Sequence, residues 1–100
     1  MATNNLEAEF TRRFKDAIKQ SNELGYPPTR IEQMLATLGA VNTAKRLVIQ
    51  SEIHVGFIQM AGIGRKDLTI ESLLLEPQFQ TLFTEDERFA AQWRLDQVKI

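Results

Sequence analysis

Apolar residues recur along the chain at helical spacing, and the polar punctuation between them divides it into short helices. Asn4 with Glu7 reads as a relative of a capping box, and Leu6, Phe10, Phe14, Ala17, Ile18 and Leu24 then form one stripe, with Arg12, Arg13, Lys15 and Lys19 on or beside the opposite face. Gly25 ends this helix and Tyr26-Pro27-Pro28 bars its continuation. Thr29-Arg30-Ile31-Glu32 reads as a capping box opening a short helix with Ile31, Met34, Leu35 and Leu38 inward, closed by Gly39. A third helix carries Ala44, Leu47 and Val48. Ser51 reads as the cap of a fourth, with Ile53, Phe57, Ile58 and Met60, ending at Gly62-Ile63-Gly64.

The densest apolar run comes next. Thr69 is placed to cap a fifth helix, Leu68 and Leu73 have the spacing of a hydrophobic staple, Glu71 suits the helix dipole, and Pro77 stops the helix after Leu73-Leu74-Leu75. Phe79, Leu82 and Phe83 predict a turn docked through its aromatics. Thr84-Glu85-Asp86-Glu87 is a further capping box, opening a last helix with Phe89, Ala90 and Trp93 on one side. No alternating β-branched run reads as a strand. The expected fold is all-α: residues 1–100 as a single compact domain of five to six short helices, the first and last longest. The expected core is Phe10, Phe14, Ile18, Leu35, Leu38, Leu47, Phe57, Leu73, Leu74 and Trp93.

Composition narrows the class. A 43% hydrophobic and 25% charged chain of 100 residues has the makeup of a globular domain and not of a disordered one. The absence of cysteine removes disulfides and thiolate metal sites. No apolar run is long enough for a transmembrane helix and the first residues carry no signal-peptide pattern, so a cytoplasmic location without membrane attachment is expected. The net charge of −1 argues against a protein that coats nucleic acid. Its distribution is uneven, with nine Lys/Arg and six Asp/Glu in residues 1–66 against three and seven in residues 67–100. Such a chain either presents its basic half to an acidic partner or closes on itself by internal pairing.

Catalytic chemistry finds little support. His54 is the only histidine, no serine sits on a strand-to-helix elbow, and Gly62-Ile63-Gly64-Arg65 lacks the Lys-Ser/Thr element of a phosphate loop. Asp67 with Glu71, and Glu85-Asp86-Glu87, are carboxylate groups of the kind that hold Mg²⁺ in a hydrolase, but capping and the helix dipole account for Glu71, Glu85 and Glu87 without metal. The sequence therefore reads as a non-enzyme, with no cofactor or metal expected. Two binding roles remain. In the first, Tyr26, Arg65, Lys66 and Asp67, around the Gly62–Lys66 turn, contact a protein partner. In the second, the helix pair over residues 30–50 has the outline of a helix-turn-helix, and Arg12, Arg13, Arg30, Lys45 and Arg46 contact DNA or RNA.

Several stretches taken together carry a resemblance. They are Arg30-Ile31 with Met34, Gly39-Ala40-Val41, Ala44-Lys45-Arg46-Leu47, Gly56-Phe57, Gly64-Arg65-Lys66-Asp67-Leu68-Thr69-Ile70-Glu71 with Leu73, and Leu82-Phe83-Thr84-Glu85-Asp86-Glu87. Over about residues 26–95 the chain resembles a small bacterial all-helical family whose members occur alone or as a tail on longer proteins. The chain departs from that pattern at Ile31, Ala40, Met60 and Lys66, the last placing a charge where the pattern has an apolar residue. The resemblance implies a self-contained helical module that attaches to a larger bacterial protein, and it implies no activity.

Overall fold

The computed structural model describes residues 2–49 and 55–97, and in it the first apolar stripe becomes α1 (Ala2–Glu23), which starts ahead of the expected Asn4 cap. α1 closes in a Schellman motif: Gly25 lies in the left-handed region (φ 88°), with Gly25 N donating to Asn22 O (3.0 Å) and Tyr26 N to Ser21 O (2.9 Å). The chain continues through α2 (Thr29–Leu38), α3 (Ala40–Val48), α4 (Val55–Gly62), a 3₁₀ turn at Lys66–Leu68, α5 (Ile70–Leu74), a second 3₁₀ turn at Pro77–Leu82 and α6 (Glu85–Gln97). The fold is all-α, with six α-helices and no strand among the described residues, and α1 and α6 are the longest helices. Ser51, Ile53 and His54 lie outside the described residues, as does the side chain of Phe57.

One core serves α1, α2, α3, α5 and α6. α1 contributes Phe10, Phe14 and Ala17; α3 contributes Ala40, Ala44, Leu47 and Val48; α5 contributes Ile70, Leu73 and Leu74; Phe79, Phe83 and Ala91 complete it. Phe10 is fully buried and meets three rings edge-on, Phe14 at 6.1 Å, Phe79 at 5.0 Å and Phe83 at 5.2 Å between centroids. Edge-to-face geometry brings the positive rim of one ring onto the negative face of another, adding about 0.5–1.5 kcal/mol per pair to the area buried. Phe79 and Phe83 thus do more than dock a turn. They occupy the centre of the core.

Three expectations are corrected here. Trp93 is 48% exposed and is not a core residue, and Phe89 is 73% exposed. Ile18 and Leu35 are partly buried and pack against the core from its edge, and Leu38 is only half-buried. Thr29 does not cap α2: Pro28 holds the N-cap position, Thr29 is already helical, and Glu32 accepts instead from Asn22 Nδ2 (3.0 Å), tying α2 to the end of α1. Glu71 does stand in the first turn of α5, as expected, and a fourth point is its depth, which the sequence did not indicate: it is fully buried.

Gly39 joins α2 to α3 alone. Its N–H donates to Leu35 O (2.9 Å) and its carbonyl accepts from Thr43 N (3.0 Å), so one residue ends one helix and begins the next. Its φ of 82° with ψ of 165° belongs to a region that is essentially glycine-only.

This packing has two measurable consequences. Phe10→Ala costs about 3–5 kcal/mol in urea unfolding, whereas Trp93→Ala stays within about 0.5 kcal/mol of wild type; equal losses would return Trp93 to the core. Gly39→Ala costs about 1–3 kcal/mol although nothing lies within 4 Å of the added Cβ, because the strain is in the backbone. An unchanged urea midpoint would show that the junction does not require this conformation.

Candidate docking surfaces

The turn after α4 is built around Gly64 (φ 77°), where Gly64 N donates to Ala61 O (3.1 Å) and Arg65 N to Met60 O (2.8 Å), a second Schellman motif. Arg65 then grips Asp67 with both arms of its fork, Nε to Oδ1 at 3.0 Å and Nη2 to Oδ2 at 3.1 Å, and Nη2 also reaches Gln20 Oε1 on α1 at 3.2 Å. The hydrogen bond from Arg65 holds the Asp67 carboxyl below its ordinary range, and Asp67 in turn raises the Arg65 guanidinium. Lys66 donates from Nζ to Leu95 O (3.0 Å), in the last described turn of α6. The Lys66 carbonyl accepts from Thr69 Oγ1 (2.6 Å) and Ser72 Oγ (2.7 Å), and Thr69 Oγ1 caps α5 by accepting from Ser72 N (3.2 Å).

The structure therefore brings Arg65, Lys66 and Asp67 together, and it turns their polar groups toward α1, α5, α6 and one another. Tyr26 sits in a different setting. It is half-buried, its carbonyl accepts from Ser21 Oγ (2.7 Å), and it lines an apolar cavity with Phe14, Ile31, Met60 and Leu73. At about 50 Å³ that cavity is well under the roughly 150 Å³ that admits benzene.

The basic residues of the first half are divided between pairing and exposure. Arg13 donates to Glu76 (Nη2–Oε2 2.7 Å, Nε–Oε1 3.4 Å) and lies 3.6 Å from Asp16. Lys45 Nζ donates to Glu87 Oε1 at 2.8 Å and stands 5.6 Å over the Phe83 ring. Together with Arg65–Asp67, these pairs join cations of residues 1–66 to acids of residues 67–100. Arg12, Arg30 and Arg46 are exposed on α1, α2 and α3. α3 itself lies inside the fold, with Ala40, Thr43, Ala44, Leu47 and Val48 buried, and its exposed polar residues are Asn42 and Arg46. Asn42 Nδ2 donates to Leu38 O (3.2 Å).

α6 carries the third surface. Its start is a reciprocal capping box, Thr84 N to Glu87 Oε1 at 2.8 Å and Glu87 N to Thr84 Oγ1 at 3.1 Å, so this sequence signature is realised in full. Burial pushes the Glu87 carboxyl up, but the hydrogen bonds from Lys45 and from Thr84 outweigh it, and the net shift is downward. With Glu87 fixed beneath Lys45, the inward positions of α6 become Glu87, Ala91 and Arg94, and Arg94 Nε donates to Val48 O (3.3 Å). Arg88 turns back to Gln80 O (2.7 Å) and Phe83 O (3.2 Å).

What remains outward is Phe89 and Trp93, one turn apart, with Glu85, Asp86, Gln92, Asp96 and Gln97 exposed around them. Gln92 Nε2 is held by Asp96 Oδ1 at 2.9 Å. Reading aromatics as core missed this face. The available signal was its company, since Phe89 and Trp93 share their side of the helical wheel with Glu85, Asp86 and Asp96. The buried charges Glu71 and Arg94 were missed as well; both have polar partners in the fold.

Among the described residues, no group of three His, Cys, Asp or Glu side chains is placed to hold a metal ion, and no helix is long and apolar enough to cross a membrane. No family model, curated protein or solved structure matches this chain.

The Glu87–Lys45 contact makes stability depend on pH. A carboxyl held below its ordinary value contributes stability at neutral pH that is lost as pH falls through its folded value. Glu87→Gln keeps the cap and loses the ion pair, so it is less stable than wild type near pH 7, and the two stabilities converge as pH falls below the ordinary carboxylate range. Curves that stay parallel across that range would show that the charge of Glu87 carries nothing.

Proposed function

We propose that this chain is a non-enzymatic docking module that binds a protein partner through the outward face of α6. The observation that carries this reading is the exposed pair Phe89 and Trp93, at 73% and 48%, on a helix whose other face is already packed. Large aromatics left in water forgo about 1.5–3 kcal/mol each of burial, and aromatic anchors dominate protein interfaces. The resemblance to a family of attachable helical modules points the same way. So does the use of ionisable groups, because Glu76 and Glu87 are engaged with Arg13 and Lys45 across separate parts of the fold, and Asp67 with Arg65 within one turn. In this reading Arg65, Lys66 and Asp67 brace the turn that supports α6, and Tyr26 seals the end of α1.

The alternative, a nucleic-acid-binding regulator, rests on Arg12, Arg30 and Arg46, the exposed members of its candidate set. It predicts binding that weakens steeply between about 50 and 200 mM salt.

The test is affinity capture of partners from lysate of the host, with and without nuclease, using wild type and Phe89→Ala/Trp93→Ala. The docking reading expects a protein retained equally in both nuclease arms and lost with the double variant. Retention by the double variant would overturn it, and loss after nuclease would favour the arginine set.

A further inference from the structure

The chemistry of the α6 face narrows the class of partner. Phe89 and Trp93 stand at adjacent turns, and the exposed charges around them are Glu85 and Asp86 on one side and Asp96 on the other. Within α6 the cations point elsewhere: Arg88 donates to the carbonyls of Gln80 and Phe83, and Arg94 is buried against Val48 O. Lys45, the nearby cation on α3, is consumed by Glu87 and the Phe83 ring. An aromatic pair framed by carboxylates, with the cations of Glu85–Gln97 withdrawn, offers a guanidinium or ammonium group two attractions at once. The ring faces supply cation–π contact and the carboxylates supply charge-assisted hydrogen bonds.

We infer that the occupant of this face is an Arg- or Lys-bearing apolar segment of a protein partner, an inference that rests on the docking reading above. Other occupants fit less well. Nucleic acid and an anionic membrane surface would meet Glu85, Asp86 and Asp96 with like charge. A second copy of the chain would have to present its own exposed cations: among the described residues Arg30 and Arg46 stand singly on α2 and α3, and on α1 Arg12, Lys15 and Lys19 are interleaved with exposed Glu9, Asp16 and Glu23. That surface repels the α6 acids as much as it attracts them. A segment with cations and aliphatic residues on one face, and few acids, satisfies both the rings and the carboxylates.

The experiment is selection of a displayed library of random linear peptides against the full-length chain, followed by synthesis of the enriched peptides. Binding is read from the emission of Trp93, the only tryptophan. The expected result is enrichment of Arg and Lys beside aliphatic residues and a saturable shift of Trp93 emission. Affinity measured with labelled peptide then falls about tenfold or more for Phe89→Ala/Trp93→Ala. For Glu85→Gln/Asp86→Asn/Asp96→Asn it falls several-fold, and Trp93→Phe retains most binding. All these positions are exposed, so unchanged circular dichroism and thermal midpoints separate lost binding from lost fold.

Neutral or acidic peptides that still depend on Phe89 and Trp93 would overturn the basic-partner inference and leave the docking face standing. Enriched peptides indifferent to both aromatics, or no enrichment, would overturn both. Self-association of the full chain that is abolished by Phe89→Ala would assign the face to a second copy and overturn the inference in favour of a dimer.

Discussion

The Phe10 ring, with Phe14, Phe79 and Phe83 edge-on around it, is the contact on which the rest of the molecule depends. Two of these rings belong to α1 and two lie about seventy residues away, so the cluster closes a long loop and must recover the entropy of doing so. It also sets the position of α6. Burying Phe83 places Thr84 at the surface immediately after it, where the capping box starts that helix. Lys45 over the Phe83 ring then reaches Glu87 in the first turn. The rotation of α6 about its axis is thereby set at its first turn, and Ala91 and Arg94 fall inward while Phe89 and Trp93 fall outward. The candidate docking face is a consequence of the core, transmitted through one cap and one ion pair.

The charge asymmetry of the chain has a structural use. Arg13–Glu76, Lys45–Glu87 and Arg65–Asp67 each tie a cation of the first two thirds to an acid of the last third. Partly exposed pairs of this kind contribute modestly, about 0–1 kcal/mol each, so their value lies in orientation more than in stability. Arg13 anchors the end of α5 to α1, Lys45 anchors α6 to α3, and Arg65 holds the turn that delivers Lys66 to the end of α6. Of the four other acids of the last third, Glu71 is buried, and Glu85, Asp86 and Asp96 are gathered around the exposed aromatics.

Helix number, helix order and half of the expected core (Phe10, Phe14, Leu47, Leu73 and Leu74) were legible in the sequence because they arise from period and punctuation. The stripe of α1, the glycines that end α1 and α2, the Thr69 cap and the Thr84–Glu87 box all appear where local chemistry demands them. The failures have a common cause. Thr29 has the composition of a cap, but Pro28 before it takes the N-cap position and Glu32 is drawn to Asn22. Phe89 and Trp93 have the composition of core residues, but the inward positions of α6 went to Ala91, small enough to let α5 and α6 approach, and to Glu87 and Arg94, whose polar groups find partners there. Tertiary contacts decided these places, and a period cannot report them. The candidate docking face was missed because residue type was weighed above position: Phe89 and Trp93 have the type of buried residues, while their place on the wheel among Glu85, Asp86 and Asp96 is that of exposed ones.

Because Trp93 is the only tryptophan, its environment in the free protein tests the orientation of α6 directly. The measurement is acrylamide quenching of its fluorescence in the folded chain, set against the same chain in urea. With the ring half in water, the folded protein is quenched at a large fraction of the unfolded rate and its emission lies near that of a hydrated indole. A blue-shifted emission protected from acrylamide in the folded monomer would place Trp93 in the core, and the outward aromatic face would not exist.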